Sequence, residues 1–171
     1  TGCVSCHRNI EPMHVSGAVN LGCTDCHGGD STQADKQKAK DPAKGYIGKP
    51  QPMQIPAFCG KCHSDASLMK KFNPSLRVDQ VQEYYTSIHG QRLRNGDEKV
   101  ATCASCHGIH GIRPPNDPGS TVFALNVAET CSHCHSDAGR MQQYGIPSDQ
   151  FTKYKTSVHA NALYENHDLS A

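Results

Sequence analysis

Ten cysteines and five of the eleven histidines fall into five copies of one short pattern. They are Cys3-Val-Ser-Cys6-His7, Cys23-Thr-Asp-Cys26-His27, Cys59-Gly-Lys-Cys62-His63, Cys103-Ala-Ser-Cys106-His107 and Cys131-Ser-His-Cys134-His135. Two thiols separated by two residues suit the two vinyl groups of a porphyrin, and the imidazole that follows swings under the iron as proximal ligand. The pattern is the attachment signature of c-type haem. Two plainer chemistries use paired thiols. Zinc takes two such pairs in a ribbon-type site, and a redox dithiol is normally a single pair in a βαβ context. Neither needs His directly after the second Cys. With 11 His in 171 residues, five chance placements out of five have a probability on the order of one in a million. Five haem c groups are therefore expected, and no thiol is left for a disulfide or a nucleophile.

The remaining composition fits a chain stapled by cofactors. Apolar residues make up 36% of the sequence and aromatics 6%, beside 15 Gly and 10 Pro. An ordinary domain draws roughly 45–50% of its residues from the apolar set, so side chains alone build a thin core here. Abundant Cys argues against disorder. Large flat porphyrins would supply the missing apolar surface, and without them the chain is expected to be essentially unfolded. Thioether attachment is completed outside the cytoplasm, so an exported protein is expected, periplasmic or at the cell exterior. No export signal precedes the first Cys, which makes Thr1 a processed or trimmed start. No apolar run approaches the ~20 residues that span a bilayer. A formal charge of +1 gives no reason to expect nucleic acid as a partner.

Six histidines lie outside the motifs: His14, His89, His110, His133, His159 and His167. In a haem-dense chain they are the candidates for the sixth iron position, with a surface role as the plain alternative. His89 and His159 occupy the same place in an internal repeat and are expected to be distal ligands. His110 stands between two glycines that let the backbone turn its ring toward a neighbouring haem. His14 lies midway between the first two motifs. His167 matches Asp97 in the repeat and is only a possible ligand, and His133, inside a spacer, must point away from its own iron. Met13 competes with His14, whereas Met69 and Met141 follow their motifs too closely and are expected to pack on haem edges.

The elements that must position these groups are short. Cys59-Gly-Lys-Cys-His-Ser-Asp-Ala66 matches Cys131-Ser-His-Cys-His-Ser-Asp-Ala138, with Met69 on Met141 and Phe72 on Tyr144. Further on, Tyr85-Thr-Ser-Ile-His89 matches Tyr154-Lys-Thr-Ser-Val-His159 less closely, with Ser87 on Ser157. Each unit reads as haem motif, turn, amphipathic helix and a His at the helix end. Val78, Val81, Tyr85 and Ile88 recur at helical spacing, with Gly90 as a stop. Phe151, Tyr154 and Val158 repeat the pattern behind Ser148 or Asp149 as N-cap. Ser120 is expected to cap a short helix running through Val122, Leu125 and Val127 into the last motif. Strand signals are nearly absent. The expected fold class is mostly irregular with a few short α-helices, haem-cored, with little or no β. Three pieces are expected: a two-haem segment at 1–30, an extended Lys- and Pro-rich connector at 31–58, and a three-haem repeat region at 59–171. The interval from His89 to Ala101 equals that from His159 to Ala171, so the second repeat is expected to be truncated just before a further motif.

On these residues the chain resembles the multihaem c-type cytochromes of anaerobic and metal-reducing bacteria and archaea. The likeness rests on the five motifs, on Cys106-His-Gly-Ile-His110 and on Ser-x-His ahead of a motif, and covers most of residues 1–30 and 59–171. The resemblance implies electron transfer along a row of closely spaced, mostly bis-histidine haems between redox proteins, and no enzymatic role. Two alternatives stay open. One is a multihaem oxidoreductase of nitrite or hydroxylamine type with one open iron site, although nitrite reductases typically carry Lys in place of a motif His. The other is a subunit of an extracellular cytochrome filament, with haem contacts to further haem domains or copies of itself. Ionised haem propionates would make the holoprotein acidic, which favours basic docking patches on its redox partners.

Overall fold

The computed structural model describes residues 3–4, 7–10, 14 and 19–170. Cys6 of the first motif and Met13 lie outside the described residues. The chain divides into two compact units, Thr1–Ile112 and Arg113–Ala171. This division does not coincide with the boundaries drawn at 30/31 and 58/59 from composition.

In the first unit the described helices are α1 (Cys23–His27), α2 (Lys36–Ala39), α3 (Ile55–His63), α4 (Ala66–Phe72), α5 (Gln80–Thr86), α6 (Ile88–Arg94) and α7 (Cys103–His107). The second unit holds α8 (Ala124–His135), α9 (Ala138–Gln142), α10 (Gln150–Lys155) and α11 (Val158–Tyr164). No strand occurs among the described residues, and an isolated parallel bridge joins His14 to Ile112. Little or no β is therefore correct. The chain is nevertheless more helical than "mostly irregular", with about half of it in helix. Capping explains the difference. Asp35, Asp65, Asp137, Ser87 and Ser157 each accept a backbone N–H at a helix start, so turns too short for a periodic signal are still closed.

The second to fifth motifs are themselves helical. α1 and α7 consist of the five motif residues alone, whereas α3 and α8 run through upstream residues into Cys59–His63 and Cys131–His135. After α3 and α8 the same closure recurs: Asp65 N–H donates to Cys62 O and Asp137 N–H to Cys134 O. The Ser-Asp-Ala of both repeats is thus a helix stop followed by a helix start. Ser120 is buried and accepts from Val122 N at 3.3 Å, but the helix begins later, at Ala124 behind Phe123. Asp149 is the N-cap residue of α10, and its carboxylate pairs with Lys153 at 2.9 Å.

Two details of the repeat differ from the reading of the sequence. Tyr84, not Tyr85, is the counterpart of Tyr154, because both repeats place Tyr three residues before the capping Ser. Nor does Gly90 stop a helix. The break lies at Ser87, whose extended backbone (ψ 159°) and Oγ, accepting from Gly90 N at 3.1 Å, start α6. Ser157 does the same for α11, accepting from Ala160 N at 3.2 Å. His89 and His159 consequently stand in the first turn of a new helix. Behind them the matched residues Gly90 and Ala160, and Leu93 and Leu163, are buried.

The stretch after α1 is not an extended connector. It folds back: Gly29 N donates to Lys44 O, Asp30 N to Ala39 O and Ile47 N to His27 O. Gly28 permits the approach, with φ 64° and a position where a Cβ would lie 2.2 Å from Gly45 O. Lys44 Nζ meets Asp30 Oδ2 at 2.6 Å. Its ammonium first, and the hydroxyl and amide of Thr32 next, hold the Asp30 carboxyl well below its usual 3.8. Because the folded value is the lower one, this contribution is complete above that usual value and is lost as the pH falls below it.

Two outcomes follow. Limited proteolysis between residues 31 and 50 is expected to accelerate below pH 4 (about the ordinary carboxylate value), and Asp30→Asn is expected to bring the faster cutting to neutral pH. Gly90→Ala places a Cβ 2.1 Å from the Tyr84 carbonyl oxygen, where backbone must yield. A loss of about 1–3 kcal/mol is expected in thermal unfolding, against about 1 kcal/mol for Ala160→Gly.

Candidate functional site

Short motif helices bring thiols and imidazoles of different motifs together in the first unit. Cys3 hydrogen-bonds Cys23, Cys26 lies beside Cys62, and Cys59 hydrogen-bonds Cys103. Each contact joins one motif to the next in chain order, from first to fourth. Burial first, then the neighbouring thiol, raises the proton affinity of Cys3 and of Cys26. In the Cys59–Cys103 pair the shared hydrogen bond eases loss of one proton, from Cys103, and opposes loss of the other.

The imidazoles pair as well. The ring centroids of His14 and His63 are 6.0 Å apart with planes inclined by 65°. Those of His27 and His110 are 6.4 Å apart, inclined by 51°. His14 and His63 are half-buried, and burial holds both below the ordinary imidazole value, with His63 adding to the effect on His14. His107 is lowered by the same cause and, second, by His63. A lowered value keeps the ring neutral, the form that ligates metal.

His27 has a second partner set. Its Nδ1 lies 3.2 Å from both Ile47 O and Gly48 O. Donation from Nδ1 to a backbone carbonyl leaves Nε2 unprotonated and aimed away, as a metal-bound His requires. The folded-back segment after α1 therefore orients a motif imidazole, a role its Lys- and Pro-rich composition does not advertise. Phe58 also packs against that ring, centroids 5.7 Å apart.

The fifth motif has a cavity of its own. About 420 Å³ opens beside Cys131 and His135 of α8, walled by Val127, by Phe151 and Tyr154 of α10 and by Leu163 of α11. Its lining is largely apolar. The repeat explains its walls, since α10 and α11 carry the apolar face that α8 needs as cover. Beside the motif, Arg140 donates to Cys134 Sγ at 2.8 Å.

The remaining histidines are placed differently. His89 and His159 are exposed, each preceded by an exposed aliphatic residue, Ile88 (65%) and Val158 (77%). His133 is exposed on α8, and His167 is exposed with a left-handed φ of 55°. His135 is the one imidazole among the described residues lining the fifth-motif cavity. Met141 is buried and Met69 half-buried.

Among the described residues no three His, Cys, Asp or Glu side chains converge as a metal site. A covalent haem would take the two thiols of one motif, the imidazole that follows them and apolar cover. The residues fit that group. No family model, curated protein or solved structure matches the chain.

The cavity wall generates a test. Leu163→Ala should lower stability by about 2–5 kcal/mol, read from thermal unfolding. Val158→Ala, five residues earlier on the exposed face, should stay within about 0.5 kcal/mol of the parent.

Proposed function

We propose that the chain carries five c-type haems and transfers electrons between redox partners outside the cytoplasm. The observation that carries this reading is the fivefold Cys-x-x-Cys-His pattern, which uses every cysteine in the sequence. Supporting it are the thiols of consecutive motifs lying side by side, the two imidazole pairs and the apolar cavity beside the fifth motif. When bound, the haems supply the one-electron chemistry. The cysteines anchor them by adding S–H across the vinyl groups, and His7, His27, His63, His107 and His135 serve as proximal ligands. His14, His89, His110 and His159 are proposed as distal ligands, and His167 as a further candidate. The polypeptide then sets each potential through ligand identity, burial and hydrogen bonds to the imidazoles. No helix among the described residues is long and apolar enough to cross a membrane.

Charge governs partner choice in this reading. Two propionates per haem, against a core that is +1 when ferric and neutral when ferrous, turn the +1 polypeptide into a holoprotein of about −4 oxidised and about −9 reduced. The redox partners then present basic patches. A second reading, an oxidoreductase with one open iron position, draws on the cavity beside the fifth motif, lined by Cys131, His135 and Tyr154.

Intact-mass spectrometry of the exported, purified protein is expected to exceed the 18.5 kDa polypeptide by five haems. Fewer additions with alkylatable thiols would overturn the reading. The visible spectrum separates the two functions, since wholly low-spin iron supports transfer and a high-spin fraction that binds carbon monoxide supports the oxidoreductase. In native electrophoresis at neutral pH the holoprotein is expected to run toward the anode, and faster when reduced.

A further inference from the structure

The proposed function leaves open which distal histidine serves which iron, and sequence order gives no answer. A linear imidazole–iron–imidazole axis with metal–nitrogen bonds of about 2 Å sets the ring centroids about 6.3 Å apart. The pairs His14–His63 and His27–His110, each from distant segments, stand near that separation, at 6.0 and 6.4 Å. We propose that His14 is the distal ligand of the haem held by Cys59, Cys62 and His63, and that His110 is the distal ligand of the haem held by Cys23, Cys26 and His27. The assignment rests on the five-haem reading and makes it specific.

Neither pairing is the one that proximity in sequence favours. His14 stands between the first and second motifs and serves the third. His110 lies three residues after the fourth motif's own His107 and serves the second. The backbone accounts for both. Gly108 (φ 83°) and Gly111 (φ 69°) flank Ile109-His110 in left-handed conformations, which turn this segment off the axis of α7 and carry His110 toward His27. The next residue, Ile112, forms the parallel bridge to His14, and that bridge holds His14 opposite His63. His27 is fixed from its far side by the carbonyls of Ile47 and Gly48, so its other ring nitrogen is the one available to a metal. On this assignment each iron joins two segments of the first unit, 14 to 63 and 27 to 110. The ligands act as long-range staples within one compact unit.

The test uses exported holoprotein and two ligand variants, His14→Met and His110→Met, each made in three backgrounds. These are the parent, a chain with Cys59→Ala and Cys62→Ala, and a chain with Cys23→Ala and Cys26→Ala. Haems are counted by intact mass, and Met ligation is read from the near-infrared charge-transfer band and from a redox titration. In the parent background each variant is expected to keep five haems and to move one of them to a higher potential with the Met band. Removing the third haem should abolish the band of His14→Met and leave that of His110→Met. Removing the second should do the reverse. A band that survives loss of its assigned haem overturns that pairing while the five-haem reading stands. A parent protein without haem mass overturns the reading itself. Should the cysteine variants fail to accumulate, nuclear Overhauser contacts in the reduced, diamagnetic parent decide the matter. His14 ring protons are expected to contact the haem whose thioethers belong to Cys59 and Cys62, and His110 that of Cys23 and Cys26. Contacts to any other haem refute the assignment.

Discussion

A shortage of apolar side chains governs this molecule. Leu93, Val100, Met141, Ala160 and Leu163 are the buried hydrophobic side chains among the described residues, with Pro56 beside them. A chain of this length ordinarily buries far more. What brings its short helices together is packing around the motif side chains: thiol against thiol, imidazole against imidazole, and an apolar slot left beside the fifth motif. The helices are correspondingly brief, and their ends are closed by Asp and Ser side chains in place of long amphipathic faces. In such an architecture the motif residues are themselves structural residues.

The repeat shows the same economy twice, once in each unit. A motif helix ends in Ser-Asp, an Asp starts the next short helix, and after a further helix a Ser breaks the chain and opens another with His in its first turn. The buried positions behind that His are Gly90 and Leu93 in one copy and Ala160 and Leu163 in the other. Their difference is local. Gly90 sits too close to the Tyr84 carbonyl for a Cβ, whereas in the second copy α10 ends at Lys155, leaving Thr156 and Ser157 between its helices, and position 160 is Ala.

The fivefold motif was plain in the sequence, because covalent attachment of the kind proposed demands particular residues at a fixed spacing. The absence of strand signals was legible for a related reason: alternation is a physical requirement of a half-buried sheet. The helices were harder to read. Five-residue elements such as α1 and α7 carry no period, and their caps are single residues whose effect depends on neighbouring backbone. The fold-back of residues 28–48 was hidden by composition, since Lys, Pro and Gly describe a solvated linker as well as a hydrogen-bonded loop. Its signals were Gly28 directly after His27 and the complementary pair Asp30 and Lys44, which only three-dimensional proximity makes meaningful. The ring partners of His14 and His110 were beyond sequence reasoning altogether, because such contacts are set by where the backbone returns.

The bridge between His14 and Ile112 has a mechanical consequence. It ties the backbone of one imidazole to a residue two positions from another, so His14 and His110 hang from a common support. A displacement of His14 pulls on Ile112, and through Gly111 on His110. The two ring pairs, 14 with 63 and 27 with 110, are thereby geared to each other without touching. Tension introduced at one is relieved partly at its neighbour, and the pair of centres responds to strain as a single deformable frame.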